Sequence, residues 1–435
     1  MPLGLIEPTQ RRDSIGEVVC VPAQSFLSFF PDCCRFISYT FCGNTILNSK
    51  LIGATLIVAG TSIGAGMLAL PIAVANIGFW PAMILMALIW SLSGYTALLL
   101  TEANLRTGKG LNFHKMVGNI LGPVGQVLCS ASFLALLYAL TAAYLTGGAS
   151  LIGVKAQALL DIKLESTTST LIFACTLGLV AAFGVKYVDL LTRGLFTLKM
   201  VALMILVALL VPKTEVANLQ FALSYFDGSL WMAALPLIFT SFGFHVCIPP
   251  LVKYLDGDLK QIRMAFLLGS GLPLLCYSLW LLAVMGPLGA EQLKLLAQGD
   301  GLANLVGAMT ELTGSGRIGT LVTLFADLAL VTSFVGVTLS LYEYLKELRG
   351  GEVGRVGNWL VTFAPPLVLA LAMPKGFIAV LGFAAIPLAV LIVFLPVAMA
   401  LKSREASQGY QVAGGKGAMA LATVAGGLIV IAQLL

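Results

Sequence analysis

Residues 58–71 read Val58-Ala59-Gly60-Thr61-Ser62-Ile63-Gly64-Ala65-Gly66-Met67-Leu68-Ala69-Leu70-Pro71. Gly60, Gly64 and Gly66 each weaken a helix by about 1 kcal/mol. The stretch nevertheless lies inside an apolar run, about 51–75, of the length that crosses a bilayer. Such a helix is expected to unwind near mid-membrane, and unwound backbone persists at that depth only where it lines a cavity inside protein. A second stretch, Phe239-Thr240-Ser241-Phe242-Gly243-Phe244-His245 followed by Pro249-Pro250, reads the same way. Its prolines remove amide donors and clash with the preceding turn.

The two stretches align. Thr61-Ser62-x-Gly64 and Pro71 correspond to Thr240-Ser241-x-Gly243 and Pro250 at a constant offset of 179. Broken helices at equivalent places in inverted repeats mark the substrate site of a secondary transporter. Close helix packing is the alternative, because Gly60 and Gly64 also satisfy GxxxG spacing. Gly60-x-Ser62-x-Gly64 fits a hydrolase elbow literally, and Gly64-x-Gly66-x-x-Ala69 a loose dinucleotide loop. Both need a preceding strand that an apolar helix does not supply.

Composition sets the class. The chain has 435 residues, 59% hydrophobic and 10% charged, with mean hydropathy +0.97. Soluble domains carry about 25% charge, so disorder, coiled coil, a small disulfide scaffold and an ordinary cytosolic enzyme are excluded. Long unbroken apolar runs argue against the alternating strands of a β-barrel. The expected fold is an all-α membrane protein. The net charge of +5 is too thin and scattered for nucleic acid. Of the 8 Cys, none forms a CxxC pair; Cys129, Cys175, Cys247 and Cys276 lie in apolar runs. With only two histidines, His114 and His245, neither a metal nor another cofactor is expected.

Eleven runs of spanning length occur at about 51–75, 79–101, 126–153, 167–185, 194–211, 230–252, 264–286, 318–341, 356–373, 377–401 and 417–435. Cationic residues are the test of orientation. With the N-terminus inside, the inner loops hold Arg106, Lys109, Lys115, Lys186, Arg193, Lys253, Lys260, Arg263, Lys346, Arg349, Arg355, Lys402, Arg404 and Lys416. The outer loops hold Lys155, Lys163, Lys213, Lys294, Arg317 and Lys375. An odd number of spans then puts Leu435 outside. The transporter domain is expected over 50–435, as five-helix repeats at about 51–211 and 230–401 plus an extra helix at 417–435. Residues 1–49, broken by Pro22 and Pro31, are expected to be a cytoplasmic disordered tail or the product of a misassigned start. Residues 107–123 read as a loop with a short amphipathic helix. Helical pieces are expected near Glu291–Leu296 and Leu302–Thr313 in the longest outer loop.

Each break carries a definite chemistry. The half-helix after Gly64 presents free amides and a positive dipole end, and Gly64, Ala65 and Gly66 let a carboxylate approach the backbone. Carbonyls freed near Ala59 and Phe239 can accept from an ammonium group. A zwitterionic α-amino acid offers both charges. Three ionisable groups lie at membrane depth. Lys199 either snorkels to the inner interface or gains and loses a proton. Asp327 faces a pore or holds a structural hydrogen bond. His245 is a structural residue, a substrate contact or a proton relay. Tyr138, Thr141 and Tyr144 form a stripe at i, i+3, i+6. With Phe239, Phe242, Phe244, Thr332 and Ser333 they either pack or build an aromatic cavity with hydroxyl partners.

Val58–Pro71 resembles the first span of bacterial aromatic amino acid permeases. Tyr138-Ala-Leu-Thr141-Ala-Ala-Tyr144 resembles their third span. Ile238–His245 and Leu324-Phe-Ala-Asp327-Leu-Ala-Leu330 resemble spans 6 and 8. Leu251–Gly257 and Thr362–Pro366 also fit, so the similarity runs from about Lys50 to the C-terminus. Phe-Thr-Ser-Phe-Gly-Phe-His and Phe-Ala-Asp-Leu are similar to the stretches of tyrosine-carrying members. The resemblance implies a LeuT-like five-plus-five inverted repeat with helices 1 and 6 broken. It further implies a multi-pass protein of the bacterial inner membrane that imports L-tyrosine by proton symport. Tryptophan or broad aromatic transport, or sodium coupling, are the alternatives; a sensor or a channel is the alternative of another class. The resemblance places the chain in the amino acid/polyamine/organocation superfamily, in whose proton-coupled members a span-5 lysine can stand where sodium-coupled members bind sodium, and Lys199 fits that register. The expected substrate-binding set is Ala59, Gly60, Thr61, Ser62, Gly64, Ala65, Gly66, Tyr138, Thr141, Phe239, Thr240, Ser241, Phe242, Gly243 and His245. Lys199 and Asp327 are the expected proton-coupling pair. Lipid is the remaining partner, and the sequence leaves the oligomeric state open.

Overall fold

The computed structural model describes residues 49–108, 111–182, 185–220, 228–312, 316–349, 354–406 and 409–435. The expected N-terminal tail lies outside the described residues, except for Ser49. Among the described residues the fold is helical, with no strand. Among the described residues, eight helical stretches are long and apolar enough to cross a membrane, nine when one bent pair is counted as a span. The bent pair is α1 (Ser49–Ser62) and α2 (Gly66–Ala73), which meet at 57°.

The remaining helices follow in order. They are α3 (Phe79–Thr107), α4 (Phe113–Leu160), α5 (Ser166–Ala182), α6 (Val185–Leu210), α7 (Gly228–Thr240) and α8 (Ile248–Tyr254). Then come α9 (Leu259–Leu296), α10 (Gly301–Leu312), α11 (Gly316–Leu348), α12 (Arg355–Ala372), α13 (Phe377–Phe383) and α14 (Ala385–Ala389). A π-helical turn, Val390–Phe394, leads into α15 (Leu395–Ala406), and α16 (Gly415–Leu434) closes the chain.

Local chemistry sets the interruptions. Asn112 caps α4 by accepting from the Lys115 amide at 2.8 Å. Gly122, at φ 80°, precedes Pro123 and separates a short amphipathic piece from the long apolar one. In α9, Pro287 and Gly289 (φ 72°) separate the membrane portion from the piece that ends at Leu296. With α10 this supplies the two helical pieces expected outside. Asp258 caps the start of α9, accepting from the amides of Lys260 at 2.9 Å and Gln261 at 3.2 Å.

Packing brings α9 against α1. A Cβ on Gly269 would fall 2.6 Å from Val58 Cβ and 2.8 Å from the Thr55 carbonyl, so only glycine permits this approach. The Trp90 indole on α3 donates to Ser270 Oγ on α9 at 2.8 Å. The core is made of apolar side chains such as Trp280, Phe325 and Phe334, while Leu128, Val201, Leu267 and Leu421 face outward. An exposed apolar exterior of this extent suits hydrocarbon rather than water.

One polar knot ties α3 to the C-terminal part. Glu102, fully buried, accepts from Arg404 Nε at 2.6 Å, Arg404 Nη2 at 2.7 Å and the Val412 amide at 2.8 Å. Arg106 lies 3.6 Å from the same carboxylate and donates to the carbonyls of Ser403 and Tyr410. The carboxylate therefore holds the segment between α15 and α16 against α3.

Candidate functional site

Both expected breaks are present, and they share a local cause. Thr61 Oγ1 donates to the Ile57 carbonyl at 2.7 Å and Ser62 Oγ to Val58 at 3.2 Å. In the second stretch, Thr240 Oγ1 donates to Leu237 at 2.8 Å and Ser241 Oγ to Leu237 at 3.1 Å. Such back-bonding competes with the helix ladder and bends it. Glycine follows in each case, so the helix stops: Ile63, Gly64 and Ala65 are non-helical, as are Ser241–Phe244. A 3₁₀ turn, His245–Cys247, then leads into α8.

The breaks border one cavity of about 390 Å³. Gly60, Thr61, Ser62, Ile63, Gly64 and Gly66 line it from the first break, and Thr240, Ser241, Gly243 and His245 from the second. Tyr144 enters from α4, Phe196 and Lys199 from α6, Tyr277 from α9, and Thr332 and Ser333 from α11. The wall extends to one end of the molecule, where Phe113, His114, Lys115, Glu343 and Glu347 border it. A Cβ on Gly66 would lie 3.2 Å from Ser241 Oγ, so the start of α2 faces the second break directly.

Two side chains complete the polar centre. Lys199, 1% exposed, donates from Nζ to the Ile63 carbonyl at 3.1 Å, and its ammonium lies 4.5 Å above the Phe196 ring. A carbonyl released by the first break thus solvates a buried cation. Tyr277 Oη lies 2.7 Å from the Ser62 carbonyl and 3.1 Å from the Ser241 carbonyl. Its ring is fixed edge-on by Phe242 at 5.5 Å. Sequence reasoning passed over Tyr277. The available signal was a phenol inside an apolar span, since a buried phenol hydroxyl usually has a partner.

The availability of backbone groups differs in detail from expectation. The Ala59 carbonyl accepts from the Ile63 amide at 3.0 Å, and the Phe239 carbonyl from the Phe242 amide at 3.1 Å. Among the described residues, the carbonyls of Gly60, Thr61 and Thr240 accept from no backbone amide across the breaks, and these three residues line the cavity. The Ala65 amide donates to Ser333 Oγ at 2.8 Å. Gly66 and Met67 open α2, where amides lie beyond any intrahelical acceptor.

Several expected residues stand elsewhere. Tyr138 donates to the Val361 carbonyl at 2.9 Å and packs in a small satellite core with Leu137 and Leu341; Leu137 lines the cavity, but Tyr138 itself does not. Thr141 is buried, its hydroxyl donating to Leu137 at 2.8 Å. Phe239 and Phe242 are fully buried behind the breaks. Asp327 pairs with Lys155 near the other end of α4, outside the cavity wall. Among the described residues no group of three or more His, Cys, Asp or Glu could hold a metal ion.

The tryptophan/tyrosine permease family profile matches residues 47–433. The chain is 38% identical to Tyrosine-specific transport system 1 of Haemophilus influenzae over 388 residues, covering 88% of this chain and 96% of that protein. It is 33% identical over 363 residues to a tryptophan-specific transport protein of Pseudomonas aeruginosa, covering 82% and 87% of the two chains. It is also 32% identical over 397 residues to Glutamine transporter 2 of Aliivibrio fischeri, covering 89% and 100%.

Proposed function

The chain belongs to the tryptophan/tyrosine permease family, and on that footing we propose that it imports tyrosine by proton symport across the bacterial inner membrane. It is a multi-pass transport protein, not an enzyme. The observation that carries the reading is the meeting of two interrupted helices on one cavity, where carbonyls that accept from no backbone amide stand beside the amides that open α2. Similarity to a tyrosine-specific transport system supports the choice of substrate.

In this reading the substrate carboxylate sits against the Gly66 and Met67 amides at the positive end of α2, with the Ser333 hydroxyl yielding the Ala65 amide. The ammonium sits against the carbonyls of Gly60, Thr61 and Thr240. The ring lies among Tyr144, Phe196, Ser333 and the second break. No charged side chain is needed to neutralise the zwitterion. Lys199 holds or releases the coupling proton, and its bond to Ile63 links that proton to the geometry of the first break. Asp327 is left as half of a structural ion pair with Lys155.

The reading keeps eleven spans and the LeuT-like five-plus-five repeat. The fourth and ninth spans are then the short helices α5 and α12, at the lower limit of about 17 residues for crossing. With the N-terminus in the cytoplasm and Leu435 in the periplasm, the cavity mouth near His114, Glu343 and Glu347 opens to the cytoplasm. Alternating access then requires closure there and opening beside α2 and α10.

Uptake of labelled tyrosine into proteoliposomes under an imposed pH gradient tests the reading. Unlabelled tyrosine should compete better than tryptophan, and sodium should be dispensable. Stronger competition by glutamine or leucine would remove the aromatic assignment, and uptake that needs sodium with no pH gradient would remove proton symport.

A further inference from the structure

We propose that Phe196 is a positioning residue for proton coupling: the π face of its ring holds the Lys199 ammonium, and the same ring borders the cavity. The inference rests on Lys199 carrying the coupling proton and deepens that reading.

Phe196 and Lys199 stand three residues apart on α6, so they share one face of the helix. Both border the cavity, while Leu198 between them faces outward. The Lys199 ammonium lies 4.5 Å from the centroid of the Phe196 ring. An ammonium has three N–H donors to place. Among the described residues one acceptor receives it, the Ile63 carbonyl at 3.1 Å, and no carboxylate pairs with its charge. With Lys199 1% exposed, bulk water offers it little.

A charge buried with so few partners is costly unless another group stabilises it. The group in that place is the negative face of the Phe196 ring. A ring face attracts a cation, the more strongly when both are desolvated, and offers no such attraction to a neutral amine. Phe196 therefore grips Lys199 only while the lysine carries its proton. The Ile63 carbonyl passes that grip to the first break. The substrate ring lies against the same side chain, so cation and substrate meet on Phe196. With the grip weakened, part of the carriers cycles without the proton and substrate slips back down its gradient.

The test measures steady-state accumulation of labelled tyrosine by the full-length protein in proteoliposomes under an imposed pH gradient. Coupling sets that end point. A contact that only helps substrate bind, or only helps α6 pack, changes the rate of approach and leaves the end point in place. Phe196→Leu keeps an apolar side chain and loses the π face; its accumulation ratio should fall about tenfold, whereas Phe196→Tyr should keep most of it. Mono-, di- and trifluorophenylalanine at position 196 keep the shape of the ring and drain its π face by steps, and accumulation should fall in the same order. An unaltered ratio across the fluorinated series would overturn the proposal, and so would Phe196→Leu reaching the ratio of the unaltered protein. Full accumulation by Lys199→Gln would overturn the coupling role of Lys199, and the inference with it. Loss of accumulation in Lys199→Gln beside an unaltered fluorinated series would overturn only the role of Phe196. Unaltered protein that takes up no tyrosine would overturn the function proposed above.

Discussion

Ser62 and Ser241, equivalent positions of the repeated Thr-Ser-x-Gly motif, present their carbonyls to one hydroxyl, that of Tyr277, at 2.7 Å and 3.1 Å. Two helix ends that would otherwise be independent are therefore held at a common point on α9. A hydroxyl has a single proton, so the two carbonyls share it. Any motion that separates the breaks must choose between them.

Tyr277→Phe keeps the ring against Phe242 and removes only the shared donor. Two buried carbonyls lose a partner, at a cost of about 1–3 kcal/mol. Thermal unfolding in detergent should show that loss, and transport rate should fall by about tenfold or more. Unchanged uptake and stability would show that the bridge is incidental.

Glycines at the breaks and in the packing should fail differently. A Cβ on Gly64 would lie 3.6 Å from Ser333 Oγ and 3.8 Å from Tyr144 Oη, which is ordinary contact. Gly64→Ala should therefore fold normally and lose tyrosine binding, because the new methyl stands where the carboxylate approaches. Gly269→Ala meets Val58 at 2.6 Å and should lower stability by about 1–3 kcal/mol. Paired melting curves and binding isotherms separate the two cases.

Lys199→Gln removes the cation that the Ile63 carbonyl solvates. Accumulation of tyrosine against its gradient should be abolished, while exchange of internal for external tyrosine continues. Accumulation at the level of the unaltered protein would reject Lys199 as the coupling residue.

Glu102→Ala leaves the Arg404 guanidinium without its buried carboxylate. Breaking a buried pair on one side costs about 3–5 kcal/mol. The variant should melt early, and limited proteolysis should cut first between α15 and α16. Full retention of stability would show that the knot contributes nothing net.

The breaks themselves were legible because their cause is local. Glycine, back-bonding hydroxyls and proline act within a turn or two, and the offset of 179 exposed the second copy. Lys199 was legible because a cation in an apolar run stands out. Tertiary pairing was not. Tyr138, Thr141 and Tyr144 step by three residues in a helix of about 3.6 per turn, so the face drifts by about 120° between first and last. Tyr144 therefore reaches the cavity while Tyr138 turns to Val361. Asp327 read as a membrane-depth acid, but its partner Lys155 comes from another helix. Tyr277 bonds to backbone carbonyls, which have no residue identity to read. Ala59 kept its carbonyl occupied because an ordinary i+4 bond runs on to the Ile63 amide, and Phe239 because α7 ends in a tightened i+3 turn to Phe242.

The most direct measurement is displacement of labelled tyrosine from the purified protein by tyrosine, by tyramine and by 3-(4-hydroxyphenyl)propionate. The α2 amides require the carboxylate and the broken-helix carbonyls require the ammonium, so only tyrosine should displace at micromolar to low millimolar concentration. Displacement by tyramine or by the propionate as effective as by tyrosine itself would contradict recognition of the zwitterion by the two interrupted helices.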